Sequence, residues 1–295
     1  MKLGFIGLGN IGGGAAANLA RAGFDLTVAD LDQAKVDSVV AVGATPAASA
    51  AEAAAGADVV FTSLPGPTQI AAVGSELLAS MKPNAIWVEM STNDLATARR
   101  LARDATSAQV AMIDAPVSGG PEGASAGTLS IFVGGVCAEV ETVMPLLNTI
   151  GDKVDHLGAH GAGYVAKIAQ VTLCYTQTVT LIEALLLGVK GGVEPAKMLE
   201  LIQNSAGSSY SATMYGPEIL AGTYDPTFPI SHAAKDMRLA MELADVVGAD
   251  LPFTTKVAEL YFETEAQFGP DAAHCLAAQI IERRNDLILH THRCT

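Results

Sequence analysis

The stretch MKLGFIGLGNIGGGAAANLARAGFDLTVADLD, residues 1–32, decides the fold of this chain. Lys2 to Ile6 reads as a buried strand and Leu26 to Ala29 as a second, with the Ala-rich run Ala15 to Ala22 between them as a closely packed helix ending at Gly23. Gly7, Gly9 and Gly12 carry the G-x-G-x-x-G spacing. The first makes the tight turn, the second lets backbone approach a pyrophosphate, and the third lets the helix pack on the strand. Gly7, Gly9, Asn10, Ile11 and Gly12 therefore form a candidate phosphate-binding loop, its N–H groups backed by the helix dipole. Asp30 closes the second strand, about 20 residues on, where a ribose-binding acid belongs. A carboxylate there accepts hydrogen bonds from both ribose hydroxyls and repels a 2′-phosphate. Leu31 and Asp32 follow it, with no Arg, so the expected cofactor is NAD in preference to NADP.

The bulk of the chain narrows the field. Its 295 residues suffice for two domains, and 50% of them are apolar. A net charge of −14 argues against nucleic acid or an anionic membrane surface as partner. Cys137, Cys174, Cys275 and Cys294 are far apart, without CxxC spacing, as expected of free thiols in the cytoplasm. The chain opens on a strand rather than an apolar leader. Apolar runs such as Val179 to Val189 are short for a bilayer and broken by Glu183 and Gly188. His290, His292 and Cys294 lie in a terminal tail, and no metal site is expected.

After Asp32, strands alternate with helical segments. Asp58 to Leu64, Ala85 to Met90, Val110 to Asp114 and Leu129 to Gly134 read as strands; Gln33 to Val42, Ala47 to Ala55, Thr68 to Met81 and Leu95 to Ala105 read as helices. This is an α/β pattern: an N-terminal Rossmann-type, doubly wound, mostly parallel sheet over residues 1–162. Ligands of such sheets lie beyond the carboxyl ends of the strands. The loops at Gly7 to Gly12, Leu64-Pro65, Ser91-Thr92 and Pro116 to Gly120 should meet there. From Gly163 the strand signals vanish. Tyr164 to about Lys190 reads as one helix of roughly 40 Å, apolar all round and so expected in a core or an interface. Glu194 to Asn204, Pro217 to Ala221, His232 to Val247 and Phe253 to Phe268 add further helices. Residues 163–295 are thus expected as an all-α domain for substrate binding and oligomerisation, joined to the first by the long interdomain helix.

Lys167 stands near the start of that helix. Val165, Ala166, Ile168 and Ala169 flank it, which takes it off an open polar face. A lysine in the first turns opposes the helix dipole, and desolvation acts in the same direction. Both favour the neutral amine that a general acid/base needs.

GLGNIG at 7–12, DAPVSGG at 114–120, GAGYVAK at 161–167 and AAKD at 233–236 resemble, in order and spacing, the β-hydroxyacid dehydrogenases, which include 3-hydroxyisobutyrate dehydrogenase and tartronate semialdehyde reductase. The resemblance covers nearly the whole chain. It implies NAD(P)-dependent interconversion of a small β-hydroxy acid and its semialdehyde or oxo acid, with Lys167 as catalytic acid/base. Ser118, Gly119 and Gly120 would bind the substrate carboxylate, as backbone N–H groups and a hydroxyl suit an anion. Lys235 would lie near cofactor and substrate. Leu64, Pro65, Ser91 and Thr92 would line the cofactor. The loop Ser205 to Tyr215 would close on the substrate, with Tyr210 and Tyr215 as wall residues. A homodimer or homotetramer is expected from the apolar helix. The chain departs from the family at Val171, where an asparagine is common; Gln170, three residues after Lys167, can deputise. The alternatives are an imine or other carbonyl reductase on the same scaffold and an NAD-binding redox sensor without turnover.

Overall fold

The structure is a computed structural model that describes residues 1–224 and 228–289. It divides into two compact units, Met1–Lys167 and Ile168–Thr295. In the first, the elements run β1 (Lys2–Ile6), α1 (Gly12–Arg21), β2 (Asp25–Ala29), α2 (Gln33–Val40), β3 (Thr45–Pro46), α3 (Ala50–Ala54), β4 (Val59–Thr62), α4 (Pro67–Ser80), β5 (Ile86–Glu89), α5 (Leu95–Ser107) and β6 (Ala111–Asp114). There follow β7 (Val117–Ser118), α6 (Gly120–Ala126), β8 (Leu129–Gly134), α7 (Cys137–Ile150), β9 (Gly151–Gly158) and the start of α8 (Ala162–Lys190).

The strand order β3-β2-β1-β4-β5-β6 is all parallel, as the alternation predicts. Side chains alternate across it with period two. Phe5, Val28, Phe61, Val88 and Ile113 join one apolar cluster, whereas Ile6, Ala29, Val60, Trp87 and Met112 join another. Both faces are buried, which is why the strands read as continuous apolar runs.

Beyond β6 the chain departs from the parallel alternation. Gly119 at φ +129 and Gly120 at φ +66 reverse the chain, and β8 pairs antiparallel with both β6 and β7. β7, α6, α7 and β9 are additions to the expected list. β9 pairs parallel with β8, but its Asp152, Lys153 and Asp155 are exposed, so no apolar run announced it. The other edge is β3, two residues long and ending in Pro46.

The second unit holds the rest of α8, then α9 (Pro195–Gln203), α10 (Tyr210–Met214), α11 (Gly216–Ala221), α12 (Ile230–Val247), α13 (Pro252–Phe268), a 3-10 turn (His274–Leu276) and α14 (Ala277–Arg284). Tyr175, Ile182, Leu185, Met237 and Tyr261 lie in its core. The segment Ser205 to Tyr215 is a loop only as far as Ser209, and Tyr210–Met214 form α10. Ser209 caps α10 by accepting the Ala212 N–H, and five residues are too few to show a helical period. Helix α8 is long and apolar enough to cross a membrane, yet half of its most apolar window is buried inside the protein, as in a core helix. His290, His292 and Cys294 lie outside the described residues.

Candidate active site

The turn between β1 and α1 is dictated by contact. The Gly7 N–H donates to the Ala29 carbonyl at 3.0 Å. A Cβ at Gly7, which has φ +89, would lie 2.2 Å from the Ser63 carbonyl oxygen, and one at Gly12 would lie 1.9 Å from that of Gly7. Gly9 is the opposite case: a Cβ there would meet nothing within 4 Å. Helix α1 starts without a side-chain cap and without an acid in its first turn. Its first N–H groups therefore suit an external anion, and the open face at Gly9 fits a pyrophosphate brought close to backbone. Asn10 is exposed and Ile11 half-buried beside it.

Asp30 is half-buried, and its Oδ2 accepts the Leu8 N–H at 2.6 Å while Oδ1 accepts that of Asp32 at 2.9 Å. These bonds aim the carboxylate across the glycine loop and leave it lone pairs for hydroxyl donors. The loops after β4 and β5 are joined as well, since the Leu64 N–H donates to Ser91 Oγ at 2.7 Å. Pro65 is exposed and Thr92 half-buried.

Three polar residues missed by sequence reasoning lie abreast at the carboxyl end of the sheet. Thr62, Glu89 and Asp114 are partners in register on β4, β5 and β6, and each is 0% exposed. Glu89 Oε1 accepts the Ser91 N–H at 2.9 Å, and Oε2 accepts the Tyr164 hydroxyl at 2.8 Å. Burial pushes the Glu89 carboxyl up to about 7, against the opposing pull of those bonds. Asp114 accepts the N–H groups of Gly161 at 2.7 Å and Tyr164 at 3.0 Å, so a β6 side chain satisfies the start of α8. Glycine makes room for it: a Cβ at Gly134 or Gly163 would lie 2.5 or 2.7 Å from its oxygens. Burial raises the Asp114 carboxyl and lowers the His160 imidazole, whose Nε2 stands 3.9 Å from Oδ1. A carboxylate closing an otherwise apolar strand is the signal that could have found both acids.

Lys167 lies in the second turn of α8 and is half-buried. Ser118 ends β7, Gly119 caps α6 and Gly120 begins it, four to six residues after the Asp114 that holds the start of α8. In the second unit, Gln170 is exposed, whereas Val171 is 7% exposed within the helical core. Position 171 thus serves packing in this chain. Lys235 Nζ stands 3.4 Å from Asp236 Oδ1, and Asp236 Oδ2 accepts the Tyr175 hydroxyl at 3.0 Å. Tyr210 and Tyr215 pack edge to face with centroids 5.7 Å apart. Among the described residues no cluster of three His, Cys, Asp or Glu side chains could hold a metal ion.

Known proteins agree with this architecture. Residues 2–158 match the family described as the NAD binding domain of 6-phosphogluconate dehydrogenase, and residues 161–281 that described as the NAD-binding of NADP-dependent 3-hydroxyisobutyrate dehydrogenase. The chain is 36% identical to the NAD-dependent L-serine dehydrogenase of Pseudomonas aeruginosa over 88% of this chain and 91% of that protein. It is 37% identical to the 3-hydroxyisobutyrate dehydrogenase of the same organism, over 92% and 93%. The solved 3-hydroxyisobutyrate dehydrogenase of Mycobacterium tuberculosis with L-serine superposes with a TM-score of 0.89 at 29% identity, covering 95% of this chain and 98% of that one. The chain belongs to the β-hydroxyacid dehydrogenases, nicotinamide-dependent oxidoreductases acting on CH–OH groups.

Proposed function

We propose that the chain interconverts a small β-hydroxy acid and its semialdehyde or oxo acid, with NAD preferred over NADP and Lys167 as general acid/base. The observation that carries this reading is the double use of one strand end. Asp114 of β6 holds the start of the helix bearing Lys167, and the chain leaving β6 runs into Ser118, Gly119 and Gly120.

Ser118 offers a hydroxyl, and Gly119 and Gly120 offer backbone N–H groups, to the substrate carboxylate. Lys167, as the neutral amine, takes the proton from the substrate hydroxyl during oxidation and returns it during reduction. The bound nicotinamide supplies the hydride acceptor. Lys235, beside Asp236, carries positive charge for cofactor and substrate, and exposed Gln170 takes the polar role that Val171 cannot. Gly7, Gly9, Asn10, Ile11 and Gly12 hold the pyrophosphate, while Leu64, Pro65, Ser91 and Thr92 line the cofactor. The NAD preference follows from Asp30 and from the absence of an Arg after it. Residues 1–162 form the dinucleotide-binding domain and 163–295 the substrate and oligomerisation domain.

Exposed apolar side chains in the helical unit, among them Leu187 at 77% and Phe253 at 82%, support a homodimer or homotetramer. A monomer by light scattering would remove that part. The wide spacing of the four cysteines, without a CxxC pair, supports a cytoplasmic protein. The deciding experiment is NADH formation at alkaline pH over a panel including 3-hydroxyisobutyrate, glycerate and serine, with NAD and then NADP. Turnover with NAD is the expected result. A blank panel alongside tight NADH binding would overturn the hydroxy-acid reading.

A further inference from the structure

We propose that Glu89 and Tyr164 are positioning residues that hold Lys167 in register with the cofactor loops; this rests on the reading of Lys167 as the acid/base. Tyr164 is 0% exposed and is fixed at both ends, its N–H on Asp114 of β6 and its hydroxyl on Glu89 of β5. One bond ties the first turn of α8 to β6, and the second ties it to the neighbouring strand β5. Lys167 is three residues on, on the same helix face as Tyr164. A slip of one residue would turn that face by about 100°.

The same carboxylate also reaches the cofactor side. Glu89 Oε1 accepts the Ser91 N–H, and Ser91 Oγ accepts the N–H of Leu64. A continuous series of hydrogen bonds thus runs from Leu64 through Ser91 and Glu89 to Tyr164, one turn before the lysine.

The groups facing Glu89 are few. Thr62 Oγ1 of β4 lies 3.5 Å from Oε1 and itself accepts the Trp87 Nε1–H at 2.8 Å. Asp114 of β6 adds negative charge, with His160 beside it, and Tyr164 of α8 and the Ser91 backbone donate. Burial leaves this carboxyl titrating at about 7. When ionised, it accepts charge-assisted bonds from Tyr164 and Ser91, which are shorter and stronger than neutral ones. The strut therefore tightens as pH rises through about 7.

The test uses the full-length protein with Tyr164→Phe, Glu89→Gln and Lys167→Ala, alone and with Tyr164→Phe added to Lys167→Ala. Readouts are kcat and KM from pH 5.5 to about 9.5, with thermal unfolding to confirm folding. Phe keeps the ring and removes only the hydroxyl. Tyr164→Phe should lower kcat by roughly ten- to a hundredfold, leave KM for NAD unchanged, and add nothing to Lys167→Ala. Glu89→Gln should erase an inflection of kcat near pH 7 that the parent shows. Parent-like kcat in Tyr164→Phe overturns the proposal, as does an equal loss in the Lys167→Ala background. In both cases an inactive Lys167→Ala leaves the acid/base reading standing. Normal turnover by Lys167→Ala removes that reading itself. Should Tyr164→Phe fail to fold, Glu89→Gln decides, and parent-like kcat across the pH range in that variant overturns the proposal.

Discussion

Helices α1 and α8 begin in the same way and end up serving opposite purposes. Each starts at a glycine-rich turn beside the carboxyl end of the sheet, GLGNIG for α1 and HGAG for α8. At α1 the space in front of Gly9 is open, and no side chain caps the helix. At α8 the corresponding place is filled from within: Asp114 takes two N–H groups, and a Cβ at Gly163 would lie 2.2 Å from the Phe132 carbonyl oxygen. A helix start that lacks an acid recruits one from outside. A start that already has one becomes a fixed mount, here for Lys167.

The comparison can be broken at either end. The largest effect is expected at the mount's cargo: Lys167→Ala should lower kcat roughly 10²- to 10⁴-fold with NADH binding unchanged by fluorescence titration. Next comes the proton linkage of the anchored end. The folded Glu89 carboxyl titrates at about 7 against 4.5 for the ordinary group, so the folded protein holds the extra proton between those values and loses stability as pH rises through them. That amounts to about 3 kcal/mol, at about 1.4 kcal/mol per pH unit. His274, lowered by burial to about 4, works in the opposite sense as pH rises toward 6.5. The measurement is therefore the difference between Glu89→Gln and parent in urea unfolding. That difference should grow in favour of Glu89→Gln from pH 4.5 to 8, and a flat difference would refute it.

Asp114→Asn should cost about 2 kcal/mol, because an amide NH₂ replaces an acceptor before a backbone donor; denaturant unfolding checks it. The open end should behave differently. Gly9→Val should weaken NADH binding about tenfold, or about 1.4 kcal/mol, without shifting the unfolding midpoint, whereas Gly12→Ala should lower both. Equal midpoints for the two variants would mean the turns are not distinguished by internal contact. The smallest effect is Asp30→Ala, expected to shift the NAD-to-NADP ratio of kcat/KM toward NADP by about tenfold.

What the sequence disclosed follows the same division. The α1 start was legible because it depends on backbone freedom at Gly7 and Gly12, which local spacing records. The α8 mount was not, because the Tyr164–Glu89 bond joins residues 75 apart and imposes no period on either segment. The parallel strands were legible from being buried on both faces; β9, exposed and charged, was not. Val171 teaches a related point. From the sequence it is a missing hydrogen-bond donor, and in the structure it is a core residue whose polar replacement would have to be buried.

The two margins of the sheet have a consequence for the protein in a crowded solution. A long, flat, apolar margin would template pairing with a neighbouring chain and invite aggregation. Here β3 is two residues long and Pro46 withholds an N–H, while any strand laid along β9 would have to accommodate Asp152, Lys153 and Asp155. Both margins of the sheet thereby resist the addition of an outside strand.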